Sequence, residues 1–218
     1  MKKIVLKSYC KINLSLKVIK RIKNGYHNID SLITFCDLCD IIKINKVNTS
    51  RDKITFSGKF KNGIRTKSNT VTQVLKLLRK NNIIQSEKFN ISVQKNIPHG
   101  SGLGGGSSNA ASLLNHFKFK SKQSLKKNKV EKLARTIGFD VPISLEKKNT
   151  FLSSNKNKIK RINKKFNLNM LIVYPNLVCS TKKIYNKNKI RSFPGNYFQF
   201  NIKNRKKLIS FLKRENND

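Results

Sequence analysis

The residues Pro98-His99-Gly100-Ser101-Gly102-Leu103-Gly104-Gly105-Gly106-Ser107-Ser108 carry more information about this chain than any other stretch. Five of the 10 glycines in the chain fall within them, directly before an apolar, alanine-rich segment that can begin a helix. Glycine has no Cβ, so backbone N–H groups can approach a ligand, and the first helical turn adds unpaired donors and a positive dipole end. We therefore expect this loop to bind a polyphosphate.

Two other kinds of glycine-rich loop fit less well. A Walker A loop ends in Gly-Lys-Ser/Thr, but no lysine occurs between Gly100 and Asn115. A dinucleotide-binding loop needs a carboxylate about twenty residues later, where this chain reads SLKKNK. The segment before the loop alternates apolar and polar residues, unlike the continuous apolar run of a buried parallel strand. Both alternatives are disfavoured.

The run NIPHGSGLGGGSSNAA, residues 96–111, resembles the ATP loop of the GHMP kinases. Other stretches agree with that family in the same order: SYCKINLSL, NGYH, GFDVPISL and YPNLVCSTKKIY. The resemblance covers most of the chain up to about Tyr185. It implies a two-domain α+β fold, with an ATP-binding N-terminal domain at 1–150 and part of a C-terminal domain at 151–218.

Phosphoryl transfer to an alcohol needs a group that accepts the hydroxyl proton. Asp140 lies on a short turn between Gly138 and Pro142, where a capping role is the alternative. The resemblance implies that Asp140 is the catalytic base. It also implies that Lys11 is a catalytic lysine that lowers the pKa of the base or the hydroxyl, although Cys10 replaces the usual small alanine.

Tyr26 and His27 suit a nucleobase, because an aromatic ring stacks on a pyrimidine while imidazole can bond its edge. Ordinary hairpin packing is the alternative. The resemblance implies that this pair holds the cytosine of a cytidine diphosphate-linked polyol, with Tyr185 opposite and Asn13 also binding substrate. The function implied is ATP-dependent, Mg²⁺-assisted phosphorylation of that polyol in non-mevalonate isoprenoid (terpenoid) biosynthesis; no metal ligand and no oligomeric state is assigned.

Composition keeps other functions open. The chain has 48 Lys+Arg against 10 Asp+Glu, a net charge of +38, which is typical of nucleic-acid partners. A basic RNA-binding protein is therefore one alternative, and another GHMP kinase acting on homoserine or mevalonate is a second. However, the lysines are spread along the whole chain among Asn and Ile, as AT-biased coding would produce, and we expect no specific nucleic-acid partner.

No apolar run approaches the ~20 residues of a membrane span, and no signal-peptide core is present, so we expect a soluble cytoplasmic protein without a membrane partner. The only close pair of cysteines, Cys36 and Cys39, has no second pair to complete a zinc site, so the four cysteines are expected to be buried free thiols. No glycine follows Gly195, so the third glycine-rich motif of the family is missing. We expect a shortened kinase with an incomplete C-terminal domain, whose own activity is open.

Periodicity predicts the elements around the loop. We expect a first strand whose polar face holds Lys11 and Asn13, and a helix ended by Gly138 as its C′ residue. The remaining predictions are a strand-like region at 31–46, a helix capped by Asn69 or Thr70, a loop helix at 107–117, a strand at 170–174, a terminal helix from 208, and turns at Asn24-Gly25 and Pro194-Gly195.

Overall fold

A computed structural model describes residues 3–22, 27–119, 125–153, 158–176 and 204–214. The elements, in chain order, are β1 (Ile4–Arg21), β2 (His27–Val47), β3 (Lys53–Ser57), α1 (Thr70–Lys80), β4 (Lys88–Gln94), α2 (Gly105–Phe117), α3 (Lys127–Ile137), α4 (Val141–Ser144), β5 (Asn149–Ser153), β6 (Lys158–Ile162) and α5 (Arg205–Arg214). The mixture of strands and helices confirms the α+β class. None of the described helices is long and apolar enough to cross a membrane.

The chain divides into two compact units, and β1 and β2 contribute to both. The first unit contains residues 1–11 and 36–146, and the second contains 12–35 and 147–218. The predicted family domains, 1–150 and 151–218, stay a prediction, because compactness alone groups residues 12–35 with the later part of the chain.

The first unit packs helices against a sheet. Residues Ile41–Val47 of β2 run antiparallel to β4, and β3 runs parallel to β4 on its other side. Helix α1 begins where predicted: the side chain of Asn69 accepts a hydrogen bond from the backbone N–H of Thr72 at 3.0 Å. Its four predicted apolar residues are all buried: Val71, Val74, Leu75 and Leu78.

Helix α2 completes the core of the first unit. Its buried side chains include Leu113, Leu114 and Phe117, and the Phe117 ring meets Phe89 of β4 edge to face with 5.0 Å between centroids. Phe89, Ile91 and Val93 are the inward residues of β4, as their alternation predicted. Burying such side chains stabilises a fold by about 1.5–3 kcal/mol each, so this core holds α2 firmly.

The second unit has a smaller core among the described residues. Residues Asp30–Ile33 of β2 pair antiparallel with β5, and β5 pairs antiparallel with β6. A cluster of five buried residues fills this unit: Leu32, Phe151, Phe166, Leu208 and Phe211. The last two come from α5, which begins at Arg205, three residues earlier than its predicted start.

One sequence prediction in this part of the chain is wrong and another is off by one position. Residues 170–174 form no strand, and Leu171 and Val173 are 90% and 80% exposed. Alternating apolar residues make a strand only where a neighbouring strand supplies hydrogen bonds, and none of the described strands does so here. Gly138 ends α3 as predicted, but it stands at the C-cap, one position before C′, and its φ of 173° is extended backbone. The predicted turns at Asn24-Gly25 and Pro194-Gly195 lie outside the described residues.

Candidate functional site

The glycine loop has a backbone that most residues cannot adopt. Gly100, Gly102 and Gly104 have φ values of 71°, 76° and 69°. This left-handed region costs an L-residue roughly 1–2 kcal/mol, so glycine is the residue that fits. Ser101 closes the turn by donating from Oγ to the carbonyl oxygen of Pro98 at 2.8 Å.

The loop leads directly into the start of α2. The helix begins at Gly105, two residues before the predicted start at Ser107, with Gly104 at the N-cap. Glycine has no side chain with which to cap the helix, so the backbone N–H groups of the first turn remain directed out of the helix end. Thr70 supports this turn, because its Oγ1 donates to the carbonyl oxygen of Gly106 at 2.8 Å. The geometry is that of an anion cradle.

Lys11 is attached to the same loop. Its backbone N–H donates to the carbonyl oxygen of Leu103 at 3.0 Å, and a Cβ placed on Gly104 would lie 2.7 Å from the Lys11 Cγ. The aliphatic part of Lys11 thus occupies the space that a larger residue at 104 would take. The alternation of β1 predicted that Lys11 lies on the polar face of the strand. The structure instead buries its side chain, and Lys11 is only 7% exposed.

Asp140 faces the ammonium group of Lys11. The distance from Lys11 Nζ to Asp140 Oδ2 is 3.3 Å, and the Asp140 side chain is 40% exposed. Asp140 stands at the N-cap of the short helix α4, with Pro142 in the first turn, and its side chain makes no capping hydrogen bond. The carboxylate is therefore held beside a cation while remaining open to solvent.

The hydroxyl of Ser108 lies at the junction of α2 and α4. Ser108 Oγ is 3.2 Å from Ser144 Oγ, which in turn donates to the carbonyl oxygen of Asp140 at 3.2 Å. This short chain of hydrogen bonds connects the first turn of α2 to the residue that carries the exposed carboxylate. The structure thus brings together Lys11, Asp140 and the loop of residues 98–108.

The predicted nucleobase residues are only partly described. His27 is the first residue of β2 and is half-buried. Asn13 is half-buried, and its Nδ2 donates to Ser31 Oγ at 3.0 Å. Tyr26 and Tyr185 lie outside the described residues, so the expected sandwich of a base remains a prediction.

The cysteines are free thiols where they are described. Cys10 is buried, whereas Cys36 and Cys39 are half-buried, and Cys179 lies outside the described residues. Cys10 Sγ is 2.8 Å from Cys36 Sγ. Burial and the neighbouring thiol raise the pKa of Cys10 to about 12, so Cys10 is protonated at neutral pH. Within the described ranges, no group of three His, Cys, Asp or Glu side chains could hold a metal ion.

A buried ion pair beneath the loop was missed by the sequence analysis. Asp40 and Lys95 contact each other with side chains that are 0% and 4% exposed. A signal existed: Lys95 follows Phe89, Ile91 and Val93 at the inward spacing of two, and Asp40 precedes Ile42 and Ile44 at the same spacing. Opposite charges at inward positions of two paired strands indicate a buried pair.

Comparison with known proteins agrees with this geometry. The model of the GHMP kinases N terminal domain matches residues 69–148. The 4-diphosphocytidyl-2-C-methyl-D-erythritol kinase of Pelagibacter ubique (strain HTCC1062) is 42% identical over 214 residues, covering 98% of this chain and 74% of the relative. The chain belongs to this kinase family. The same-named kinase of Caldicellulosiruptor saccharolyticus is 33% identical over 83% of this chain and 61% of its own length.

Solved structures support the same family and fold. A crystal structure of 4-(cytidine 5'-diphospho)-2C-methyl-D-erythritol kinase aligns with a TM-score of 0.59 and 27% identity, covering 73% of this chain and 55% of that one. Homoserine kinase from Cytophaga hutchinsonii aligns with a TM-score of 0.56 at 13% identity, which shows the fold alone. The expected family and fold are therefore confirmed. GHMP kinases are ATP-dependent phosphotransferases.

Proposed function

We propose that this chain transfers the γ-phosphoryl group of ATP to the 2-hydroxyl of 4-diphosphocytidyl-2-C-methyl-D-erythritol, a step of isoprenoid biosynthesis. The observation that carries the proposal is the ion pair of Lys11 and Asp140 beside a glycine cradle, all within one compact unit. The names of the relatives supply the substrate. The cytoplasmic location expected from the sequence stays a prediction.

The loop fits the phosphates of ATP. Gly104 and Gly105 leave no room for a side chain, because a Cβ would approach Lys11 at the first position and Ile97, at 3.1 Å, at the second. Backbone donors at the helix start can then reach phosphate oxygens closely. Mg²⁺ would accompany ATP, held by the phosphates with Ser108 as an oxygen donor from this chain, and would neutralise phosphate charge.

Asp140 is the base in this proposal. Its carboxylate is open to solvent on one side and can accept the proton of the substrate hydroxyl at Oδ1, while Oδ2 faces Lys11. The Lys11 ammonium offsets the negative charge that develops during transfer. Both groups are held in place. The backbone N–H of Lys11 is hydrogen-bonded to the loop, and Asp140 is the N-cap residue of the short helix α4.

The cytidine end of the substrate is assigned to Tyr26, His27, Asn13 and Tyr185. Stacking on an aromatic ring contributes about 1–3 kcal/mol per base. The family resemblance supports this assignment, which distinguishes the proposed substrate from homoserine and mevalonate, since neither contains a pyrimidine.

The test is a comparison of acceptors with the 218-residue chain. ATP, Mg²⁺ and one of three alcohols are incubated with the protein: the diphosphocytidyl compound, homoserine or mevalonate. We expect phosphoryl transfer to the first at a kcat/KM at least a hundredfold above the others. A preference for homoserine or mevalonate would contradict the substrate, and absence of any transfer would contradict the proposed activity of this chain.

A further inference from the structure

We infer that Asp40 and Lys95 form a positioning pair that keeps the floor of the phosphate loop electrically neutral and holds the backbone that enters the loop. This inference rests on the proposed binding of ATP by the loop. It assigns a role in nucleotide affinity to residues that lie beneath the loop and outside the pair of Lys11 and Asp140.

Asp40 organises the strand that enters the loop. Its Oδ1 accepts hydrogen bonds from the backbone N–H groups of Asn96 at 2.8 Å and Ile97 at 2.9 Å, while Oδ2 accepts from Lys95 Nζ. Asn96 adds a bond from its own Nδ2 to the carbonyl oxygen of Cys39 at 2.9 Å. The backbone immediately before Pro98 is therefore held by one fully buried carboxylate.

Lys95 lies close to the start of α2. Its Nζ lies 3.2 Å from the point where a Cβ of Gly105 would stand, and Gly105 is the first residue of that helix. A cation at the positive end of a helix dipole is unfavourable, and so is a buried charge without a partner. Asp40 removes both unfavourable energies, because its carboxylate neutralises the Lys95 ammonium at that position.

Lys95 in turn cancels the charge of Asp40, which would otherwise act on a bound ligand. Without Lys95, the Asp40 carboxylate would be a buried, unpaired negative charge below a loop that binds polyphosphate. Charges in a buried site are poorly screened, so this carboxylate would oppose the phosphates of ATP. Lys95 therefore contributes to ATP affinity through the charge that it cancels, and not through direct contact with the nucleotide.

Four forms of the full chain test this inference: the parent, Lys95→Met, Asp40→Asn and the double variant Lys95→Met/Asp40→Asn. The dissociation constant of ATP is measured by titration calorimetry, after circular dichroism has shown each protein to be folded. We expect Lys95→Met to weaken ATP binding at least tenfold. The double variant is uncharged at both positions and keeps an oxygen for the backbone N–H groups, so we expect binding within threefold of the parent.

Asp40→Asn alone leaves a positive charge beneath the loop, and we expect ATP affinity equal to or tighter than that of the parent. Lys46→Met is the matched control, because it makes the same change in the exposed pair with Glu87, and it is expected to leave affinity within twofold of the parent. If Lys95→Met does not fold, Lys95→Gln takes its place under the same criteria.

Three results separate the possibilities. Parent-like ATP affinity in folded Lys95→Met would overturn the inference. A double variant as weak as Lys95→Met would also overturn it, because packing and not charge would then be responsible. Absence of ATP binding in the parent would instead overturn the proposed function of the loop.

Discussion

The region around the glycine loop and the region at residues 158–176 differ in how completely their apolar residues are covered. Among the described residues, the core of the first unit joins twenty buried hydrophobic residues, whereas that of the second joins five. The predicted apolar face of α1 in the first unit is buried, while Leu171 and Val173 of the second are exposed. Chemistry that needs fixed geometry is therefore expected in the first region.

The largest effect is expected from the carboxylate of the first region. Asp140→Asn keeps the shape of the side chain but removes the proton acceptor, and turnover is expected to fall by about 10²–10⁴-fold. Steady-state phosphoryl transfer measures kcat, and calorimetry shows whether ATP affinity is unchanged. Glu146→Gln, which removes a carboxylate of the exposed pair with Lys127, is the control and is expected to retain turnover. Near-normal kcat in Asp140→Asn would exclude the base.

The difference in burial is tested by two truncations. Leu114 is 1% exposed in the core of the first unit, and Leu114→Ala is expected to lower the free energy of unfolding by about 2–5 kcal/mol. Leu171 is 90% exposed, and Leu171→Ala is expected to change the free energy of unfolding by less than about 0.5 kcal/mol. Urea unfolding measures both. A cost of 2 kcal/mol or more at Leu171 would show that the described exposure does not persist in solution.

Alanine substitutions at two glycines of the loop distinguish an effect on ATP binding from an effect on the position of Lys11. Gly102 and Gly104 both have positive φ, so alanine is strained at either by roughly 1–2 kcal/mol, and ATP binding is expected to weaken by about tenfold. A Cβ on Gly102 meets open space, whereas one on Gly104 meets Lys11. We therefore expect Gly104→Ala also to lower kcat and Gly102→Ala to preserve it. Gly138→Ala, at a φ of 173°, is the control with no expected loss.

The smallest effect concerns pH. The pKa of Cys10 is raised to about 12, so the folded protein holds this proton more tightly than the unfolded chain does. The resulting stability is present below about pH 9, the ordinary value, and is lost as pH rises towards 12. The parent is expected to lose more stability between pH 8 and pH 10.5 than Cys10→Ala, measured by urea unfolding. Equal losses would show that the Cys10 thiol is not shielded.

Local signals explain why the first region was predictable. An asparagine cap and the spacing of four apolar residues were sufficient for α1, and glycines were sufficient to place the loop. Asp140 and Lys11 could be paired only through the family resemblance. The burial of Lys11 depends on Leu103 and Gly104, which lie about ninety residues away and leave no mark on the local pattern of β1.

The remaining differences also have non-local causes. The alternation at residues 170–174 predicts a strand, but a strand exists only with a partner. The pair of Asp40 and Lys95 was visible as two charges at inward positions. Recognising it required the register of β2 against β4, in which Ile42 faces Val93 and Ile41 faces Gln94. Periodicity identifies a face, whereas pairing between strands decides what that face meets.

Amide hydrogen exchange with and without ATP and Mg²⁺ tests most directly whether the glycine loop is the nucleotide site. We predict that ATP slows exchange at residues 100–108, where backbone N–H groups would bond phosphate oxygens, and leaves exchange at residues 158–176 unchanged. Unaltered exchange at residues 100–108 under saturating ATP, or protection confined to residues 158–176, would contradict it.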